Sequence, residues 1–297
     1  MFLTREEQSC FLAQFNISEE QFRESMLTWD ELDKIANNFE KTKDEHQSTV
    51  RKYAEVFQQC SDVHSLGYRV KETNHLIEKI IRKNSKFLKQ GSAISLRNYS
   101  ECITDLIGIR ILLLFKEDWI GVHKFIMEKY EKHLAEEPFA YIRLGDSPLL
   151  YEGKVRIVEE KPYRSVHYLI KDNDGIYVEV QVRTLFEEAW SEIDHKLRYP
   201  YKLSNEMINA YLSIMNRSAG MADEMGTFIN SYIKNFENAM SKGVINENEV
   251  YDYILNEIKL CKDEEIKKNI INKISNSQKY REMKKMSDLI SDLMKNI

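Results

Sequence analysis

Apolar and polar residues alternate with least interruption over residues 175–184, GIYVEVQVRT. Ile176, Val178, Val180 and Val182 fall on one side of a period-two pattern, and Tyr177, Glu179, Gln181 and Arg183 on the other. That is the pattern of a β-strand with one face toward a core. The other face carries an anion, an amide and a cation in register. A strand facing bulk water has the same pattern. Two neighbours favour a site instead. YRSVHYLI upstream is a second strand studded with polar groups, and LFEEAWSEIDHKL follows Thr184 as a helix. Polar groups converging from adjacent elements are the usual start of a binding site.

The same patterns extend along the chain. Residues 18–60 read as helical, with capping-box spacing at Ser18/Gln21 and Thr28/Glu31. Trp29, Leu32, Ile35, Ala36 and Phe39 form an apolar helical stripe. HSLGYRVKE predicts a short strand, and TNHLIEKIIRK a helix capped by Thr73. IGIRILLLF is an apolar run broken by one charge, Arg110, and predicts a central strand covered on both sides. EDWIGVHKFIMEKYEKHL is an amphipathic helix, and two strands and a helix follow it up to Tyr199-Pro200. Beyond about Leu203 the periodicity is helical throughout. The last stretch places Met286, Leu289, Ile290 and Leu293 on one face. The expected organisation is a helical extension over residues 1–60, an α/β (α+β) core over 61–200 and a second helical extension over 201–297. The core alternates strand and helix around one mixed sheet.

Composition changes this picture little. The 297 residues are 42% apolar and 31% charged, an ordinary globular balance, and the net charge is −5. That charge argues against a non-specific nucleic-acid coat. Four scattered cysteines without a CxxC pair argue against zinc and fit a reducing cytoplasm. No signal-peptide core and no run of membrane-spanning length is present, so a membrane role is not expected.

Two acids stand out chemically. Asp105 enters the apolar strand and Glu179 sits on the alternating one. A carboxylate at the mouth of a buried strand is costly unless paired, and Arg110, five residues on, is a candidate partner. Two carboxylates completed by phosphate oxygens are also a usual Mg²⁺ arrangement. Cations surround them in the sequence. Arg69 and Lys71 share a strand face, Lys79 and Arg82 share a helix face, and Lys154, Arg156, Lys161 and Arg183 come later. Each alone reads as a solvated charge; clustered, they suit a polyphosphate and its metal. GxxxxGK[ST] and GxGxxG are both absent, so side chains would have to hold the phosphates. In KPYRSVHY, Tyr163, Ser165 and His167 share one face. Tyr163 could stack on a base and His167 could donate to a phosphate or base edge. HEXXH and GxSxG are absent, and His195 reads as structural.

Four ordered blocks, YRVKETNHLIEKIIRK, ITDLIGIRI, YRSVHY and VEVQVRTLFEEAWSEIDH, resemble the synthetase domain of RelA/SpoT proteins, the (p)ppGpp synthetases of the stringent response. The resemblance covers roughly residues 60–200. The N-terminal 60 residues are too short for the hydrolase domain of the bifunctional enzymes, so the chain looks like a small alarmone synthetase or a toxin relative of one. The resemblance implies a nucleotidyltransferase-like mixed sheet flanked by helices. It implies transfer of pyrophosphate from ATP to the ribose 3′-OH of GDP or GTP, with release of AMP. Asp105 and Glu179 would hold Mg²⁺, with Glu179 the candidate base. Arg69, Lys71, Lys79, Arg82 and Arg110 would surround ATP. Tyr163 would stack on the acceptor guanine, and His167, Gln181 and Arg183 would complete its surroundings. Small synthetases are often oligomers, so the resemblance also implies a homo-oligomer of this chain through its helical extensions.

The chain departs from the family pattern at several points. Pro162 replaces the usual glycine before the tyrosine, His75 replaces a serine, and the link KFLKQGSAISLRNYS is long. Ser191 and Asp194 replace alanine and glutamate beside the expected guanine pocket. The acceptor is therefore the least constrained feature. Toxin relatives use the tRNA 3′ end or make adenosine alarmones, and the Lys-rich tail would suit RNA. A catalytically inactive nucleotide-binding regulator is a third reading, and retention of both acids argues against it.

Overall fold

The computed structural model describes residues 4–87, 93–143, 146–159, 163–198 and 206–241, together with positions 268 and 272. Three helices come first: α1 (Arg5–Gln14), α2 (Glu19–Glu24) and α3 (Trp29–Phe57). Their starts are written in the sequence. Thr28 accepts from the Glu31 N–H while the Glu31 carboxylate accepts from the Thr28 N–H, and Thr4 and Glu7 repeat the arrangement on α1. Ser18 caps α2 through the Gln21 N–H. Then follow β1 (Ser65–Val70), α4 (Thr73–Phe87), α5 (Tyr99–Cys102), β2 (Ile107–Leu113), α6 (Trp119–Tyr130), β3 (Phe139–Ile142), β4 (Arg156–Glu159), β5 (Ser165–Lys171), β6 (Tyr177–Thr184), α7 (Leu185–Arg198) and α8 (Glu206–Ser241).

The strands form one mixed sheet in the order β1-β2-β6-β5-β3-β4. The β2–β6 and β3–β4 pairs are parallel, and the other pairs are antiparallel. Ile107, Ile109 and Ile111 join Val178, Val180, Val182 and Tyr168 in a core under α6 and the C-terminal half of α3. A second core joins the N-terminal half of α3 to α1 and to Leu76, Ile77, Ile80 and Ile81 of α4. The long helix α3 thus belongs to both. The chain divides into two compact units, Met1–Thr227 and Phe228–Ile297; the sheet and both cores belong to the first. In the second, the described residues continue α8 to Ser241. The Lys-rich stretches after it lie outside the described residues. No helix among the described residues is long and apolar enough to cross a membrane.

Three expectations are corrected. β2 is not covered on both sides: its residues alternate buried and half-buried, and the half-buried side holds Gly108, Arg110 and Leu112. That open face becomes a cleft. The Thr73 side chain does not cap α4; its hydroxyl donates to Glu40 of α3. Four strands rather than two follow α6.

The N-terminal half of α8 is fastened to the end of β6 and to α7. The Thr184 hydroxyl donates to Asp223 at 2.8 Å, and Trp190 Nε1 donates to the Leu212 carbonyl at 3.0 Å. Asp223 is buried, with its second carboxylate oxygen unpartnered. Burial, reinforced by Glu187, pushes its carboxyl up to about 6, against the opposing pull of Thr184, Lys116 and Arg164. The folded state therefore binds more protons than the unfolded chain, and this group's contribution falls as pH rises from about 4 to about 6. The penalty is at most about 3 kcal/mol at neutral pH. Asp223→Asn keeps an acceptor for Thr184 and removes the charge. It is expected to melt several degrees higher than wild type at pH 7.5 and no higher at pH 4, as read by circular dichroism. An equal change at both pH values would sink this account.

Candidate active site

The site begins where β1 ends and β2 starts. Val70 pairs with Ile107, and the Lys71 N–H extends the pairing by donating to the Leu106 carbonyl at 2.8 Å. That register brings Lys71, one residue past its strand, against Asp105. Lys79 reaches the same carboxylate from α4. One oxygen of Asp105 takes both ammonium groups, Lys71 at 2.8 Å and Lys79 at 2.7 Å. The other is buried and unpartnered. Burial alone would raise the Asp105 carboxyl, but the two lysines outweigh it and bring it down to about 2. Burial draws Lys71 below the ordinary lysine value, against the pull of Asp105.

The adjoining sheet surface is shaped by glycines. Gly67 stands opposite Arg110 and Gly108 opposite Arg69 across the β1–β2 pair. A Cβ at Gly108 would sit 3.8 Å from the Arg69 side chain, and one at Gly67 would sit 3.9 Å from the Arg110 Cβ. The missing side chains leave the arginines room to lie across the strands. They floor a cleft of about 170 Å³ that also reaches Glu179, Gln181 and Glu188. Glu179 lies opposite Gly108 on β6. Burial pushes the Glu179 carboxyl up, but His167, with its ring nitrogen 3.6 Å away, outweighs this and the net displacement is downward. Asp105 and Lys79 also bear on the charge of Glu179, so the two acids belong to one electrostatic group.

A second cleft of about 430 Å³ opens on the other side of the β6 polar row. Tyr163, His167, Arg183, Ser191, Asp194 and His195 line it. Tyr163 is half-buried, with its ring 5.1 Å from that of Tyr141. Burial, with Tyr141, pushes its hydroxyl up to about 12, so the phenol stays protonated at neutral pH. The His167 ring stacks on Phe139 at 5.0 Å and 8°, and meets Tyr141 edge-on at 5.2 Å. Its remaining nitrogen is 2.6 Å from the Ser165 hydroxyl. Glu179, Gln181 and Arg183 join the two clefts. Gln181 donates to Glu179 at 3.1 Å and accepts from Arg183.

Several expected site residues lie elsewhere or pair otherwise. Arg110 does not pair with Asp105. It donates to Glu188 at 2.8 Å and to Glu192, both on α7. Arg82 shares a helix with Lys79 but turns to Glu78 and to the Phe15 carbonyl, 2.7 Å away. Arg156 lies over the Phe139 ring at 5.1 Å, on the edge strand β4, and Lys154 donates to the Leu150 carbonyl. Lys161 and Pro162 lie outside the described residues. His195 lines the second cleft. Phe139, Tyr141 and Glu188 were not found from sequence. FAYI alternates correctly, but four residues are a short signal.

Among the described residues, no three His, Cys, Asp or Glu side chains gather into a closed metal site. The unpartnered Asp105 oxygen near Glu179 does fit a cation whose other ligands are phosphate oxygens and water.

The family described as "Region found in RelA / SpoT proteins" matches residues 68–204. GTP pyrophosphokinase YwaC of Bacillus subtilis (strain 168) is 25% identical over 161 residues, covering 52% of this chain and 66% of that protein, just under two thirds of it. GTP pyrophosphokinase YjbM of the same strain is 27% identical over 182 residues, covering 59% of this chain and 75% of that protein. Among solved structures, the small alarmone synthetase 1 from Bacillus subtilis superposes with a TM-score of 0.48 at 19% identity, covering 67% of this chain and 99% of that one. The matched stretch, residues 68–204, contains every expected site residue from Arg69 to Arg183.

Proposed function

We propose that this protein transfers pyrophosphate from ATP to the ribose 3′-OH of GDP or GTP, giving (p)ppGpp and AMP for stringent-response signalling. The observation that carries this reading is Asp105. One of its oxygens gathers two lysines, and the other is buried and unpartnered beside an arginine-floored cleft. The curated relatives are GTP pyrophosphokinases, which supports the reaction class.

In this reading the first cleft takes ATP and the second takes the acceptor. Lys71, Lys79, Arg69 and Arg110 bind and orient the phosphates. Asp105 and Glu179 would hold Mg²⁺, which supplies charge neutralisation on the phosphates. The 3′-oxygen bonds to the β-phosphorus as the bond from that phosphorus to the AMP oxygen breaks, and the hydroxyl proton leaves toward Glu179. Glu179 has a lowered proton affinity. It therefore takes that proton as the new bond forms and releases it readily to solvent. No covalent intermediate is needed; positioning and charge neutralisation carry the acceleration.

The test is the product. Purified protein with ATP, Mg²⁺ and GDP or GTP should yield AMP and (p)ppGpp. AMP formed together with modified tRNA or an adenosine alarmone, and no (p)ppGpp, would transfer the reading to the toxin-type acceptors. No AMP with any acceptor would leave an inactive nucleotide-binding regulator. Tyr163 tests the acceptor side separately. Tyr163→Ala should lose about 1–3 kcal/mol of acceptor binding by calorimetry, and Tyr163→Phe much less, because stacking uses the ring and not the hydroxyl. An alanine variant with wild-type acceptor affinity would remove Tyr163 from the site.

A further inference from the structure

One half-buried carboxylate lines the first cleft, meets an arginine of the second and has no part in the reaction described above. Glu188 lies near the start of α7, directly after β6. One of its oxygens accepts from Arg110 Nη1 at 2.8 Å, and the other stands 3.3 Å from Arg183 Nη1. Arg110 floors the first cleft and Arg183 lines the second. The two arginines come from neighbouring parallel strands. Arg110 pairs in register with Gln181, two residues before Arg183.

The two arginines are not equally provided for. Arg110 has a second carboxylate, Glu192, whose side chain is 52% exposed. For Arg183, with a side chain only 6% exposed, Glu188 is the carboxylate in ion-pair range among the described residues. Arg183 Nε and the facing Glu188 oxygen are both buried without a hydrogen-bond partner. Arg110 is also among the charges that oppose protonation of Arg183. A carboxylate between two such guanidinium groups is what keeps both in place on adjacent strands.

We propose that Glu188 is a positioning residue that ties the donor cleft to the acceptor cleft, with one carboxylate oxygen on Arg110 and the other on Arg183. The proposal rests on reading the two clefts as donor and acceptor sites. A phosphate that engages Arg110 competes with Glu188 for it, and whatever Glu188 then does is felt by Arg183. From Arg183 the effect continues through Gln181 to Glu179. Glu192 touches Arg110 alone of the two arginines and cannot play this part.

Double-mutant cycles on kcat test the connection directly. The variants are Glu188→Gln, Arg110→Lys, Arg183→Lys and Glu192→Gln, alone and in pairs, with melting curves taken for each. Glu188→Gln is expected to lower kcat by about tenfold and to leave the affinity for a non-hydrolysable ATP analogue and for GDP within about threefold, the pattern of lost positioning rather than lost binding. Arg110→Lys and Arg183→Lys should each cost at least threefold less in the Glu188→Gln background than in wild type. Glu192→Gln should show such non-additivity with Arg110→Lys only. Additivity of Glu188 with either arginine, in an active wild-type protein, overturns the proposal alone. Equal coupling of Glu192 to both arginines does the same. Should Glu188→Gln not fold, Glu188→Asp takes its place, since the shorter acid keeps the charge and cannot span both partners. Wild-type protein that transfers pyrophosphate to no acceptor overturns the functional reading, and this proposal with it.

Discussion

Asp105→Asn is expected to lower pyrophosphate transfer by on the order of a thousandfold while the protein still folds. Asparagine nearly matches aspartate in volume, so packing at the start of β2 is preserved. What disappears is the negative charge that gathers Lys71 and Lys79 and leaves one oxygen for a cation. The same charge also stabilises the fold. A carboxyl brought from 3.8 down to about 2 contributes stability that is present above about pH 4 and is lost as pH falls toward 2. Its worth at neutral pH is about 2 kcal/mol. The variant should therefore melt several degrees lower and remain cooperative. Mg²⁺ titration of the wild type, followed by AMP release, should show a dependence that the variant lacks. A kcat within tenfold of wild type would remove Asp105 from the chemistry.

The parts of this site that were legible in the sequence are those that depend on local periodicity. The strand 177–184 announces its two faces through strict alternation, so Glu179, Gln181 and Arg183 could be assigned to one surface before any fold was known. The helix α3 announces itself through a capping box and an apolar stripe. Asp105 and the lysines are another matter. Lys71 and Asp105 meet because β1 and β2 pair in one particular register, and periodicity within a strand does not specify its partner. Arg110 was the nearest cation in sequence and is the wrong one, since its strand position turns it toward α7. Arg82 fails for a related reason. Three residues separate it from Lys79, which places both on one helix face. A long side chain can still leave that face, and the Phe15 carbonyl that draws it away ends a helix, α1, whose bounds lie unmarked within the expected helical extension. The Thr4/Glu7 box was the available signal. β3 and β4 are four residues each, too short for alternation to stand out. Without β3 the aromatic support of Tyr163 and His167 could not be anticipated.

Arg164→Met is expected to be the most destabilising single change in the first unit, costing about 3–5 kcal/mol. The Arg164 side chain is only 7% exposed and is held by Asp146 and Glu187. Asp223 and Lys116 face the same group. Gly220 of α8 lies so close that a Cβ there would fall 2.6 Å from the guanidinium. One cation thus joins the loop before β4, the start of β5, the first turn of α7 and the docked part of α8. Methionine fills much of the volume and supplies no charge. It leaves Asp146, Glu187 and Asp223 facing one another, with Arg143 on Asp146 and with Lys116 and Arg183 as further nearby cations. Burial already raises the Glu187 carboxyl and takes Asp223 to about 6. Without the guanidinium these acids bind protons still more readily in the folded state. The variant's deficit should therefore be largest near pH 8 and shrink toward pH 5, where the folded state takes up the protons it lacks. At two to four degrees per kcal/mol, the melting point should fall by roughly 10 °C at pH 8. Arg164→Lys should fall between, since it restores the charge but cannot reach two carboxylates with a planar fork. Denaturant melts of the three proteins at pH 5 and pH 8 decide the matter. A deficit below about 1 kcal/mol, or one that does not change between the two pH values, would show that packing around this position matters more than the charge. Because Tyr163 immediately precedes Arg164, loss of this anchor should also weaken acceptor binding before the protein unfolds.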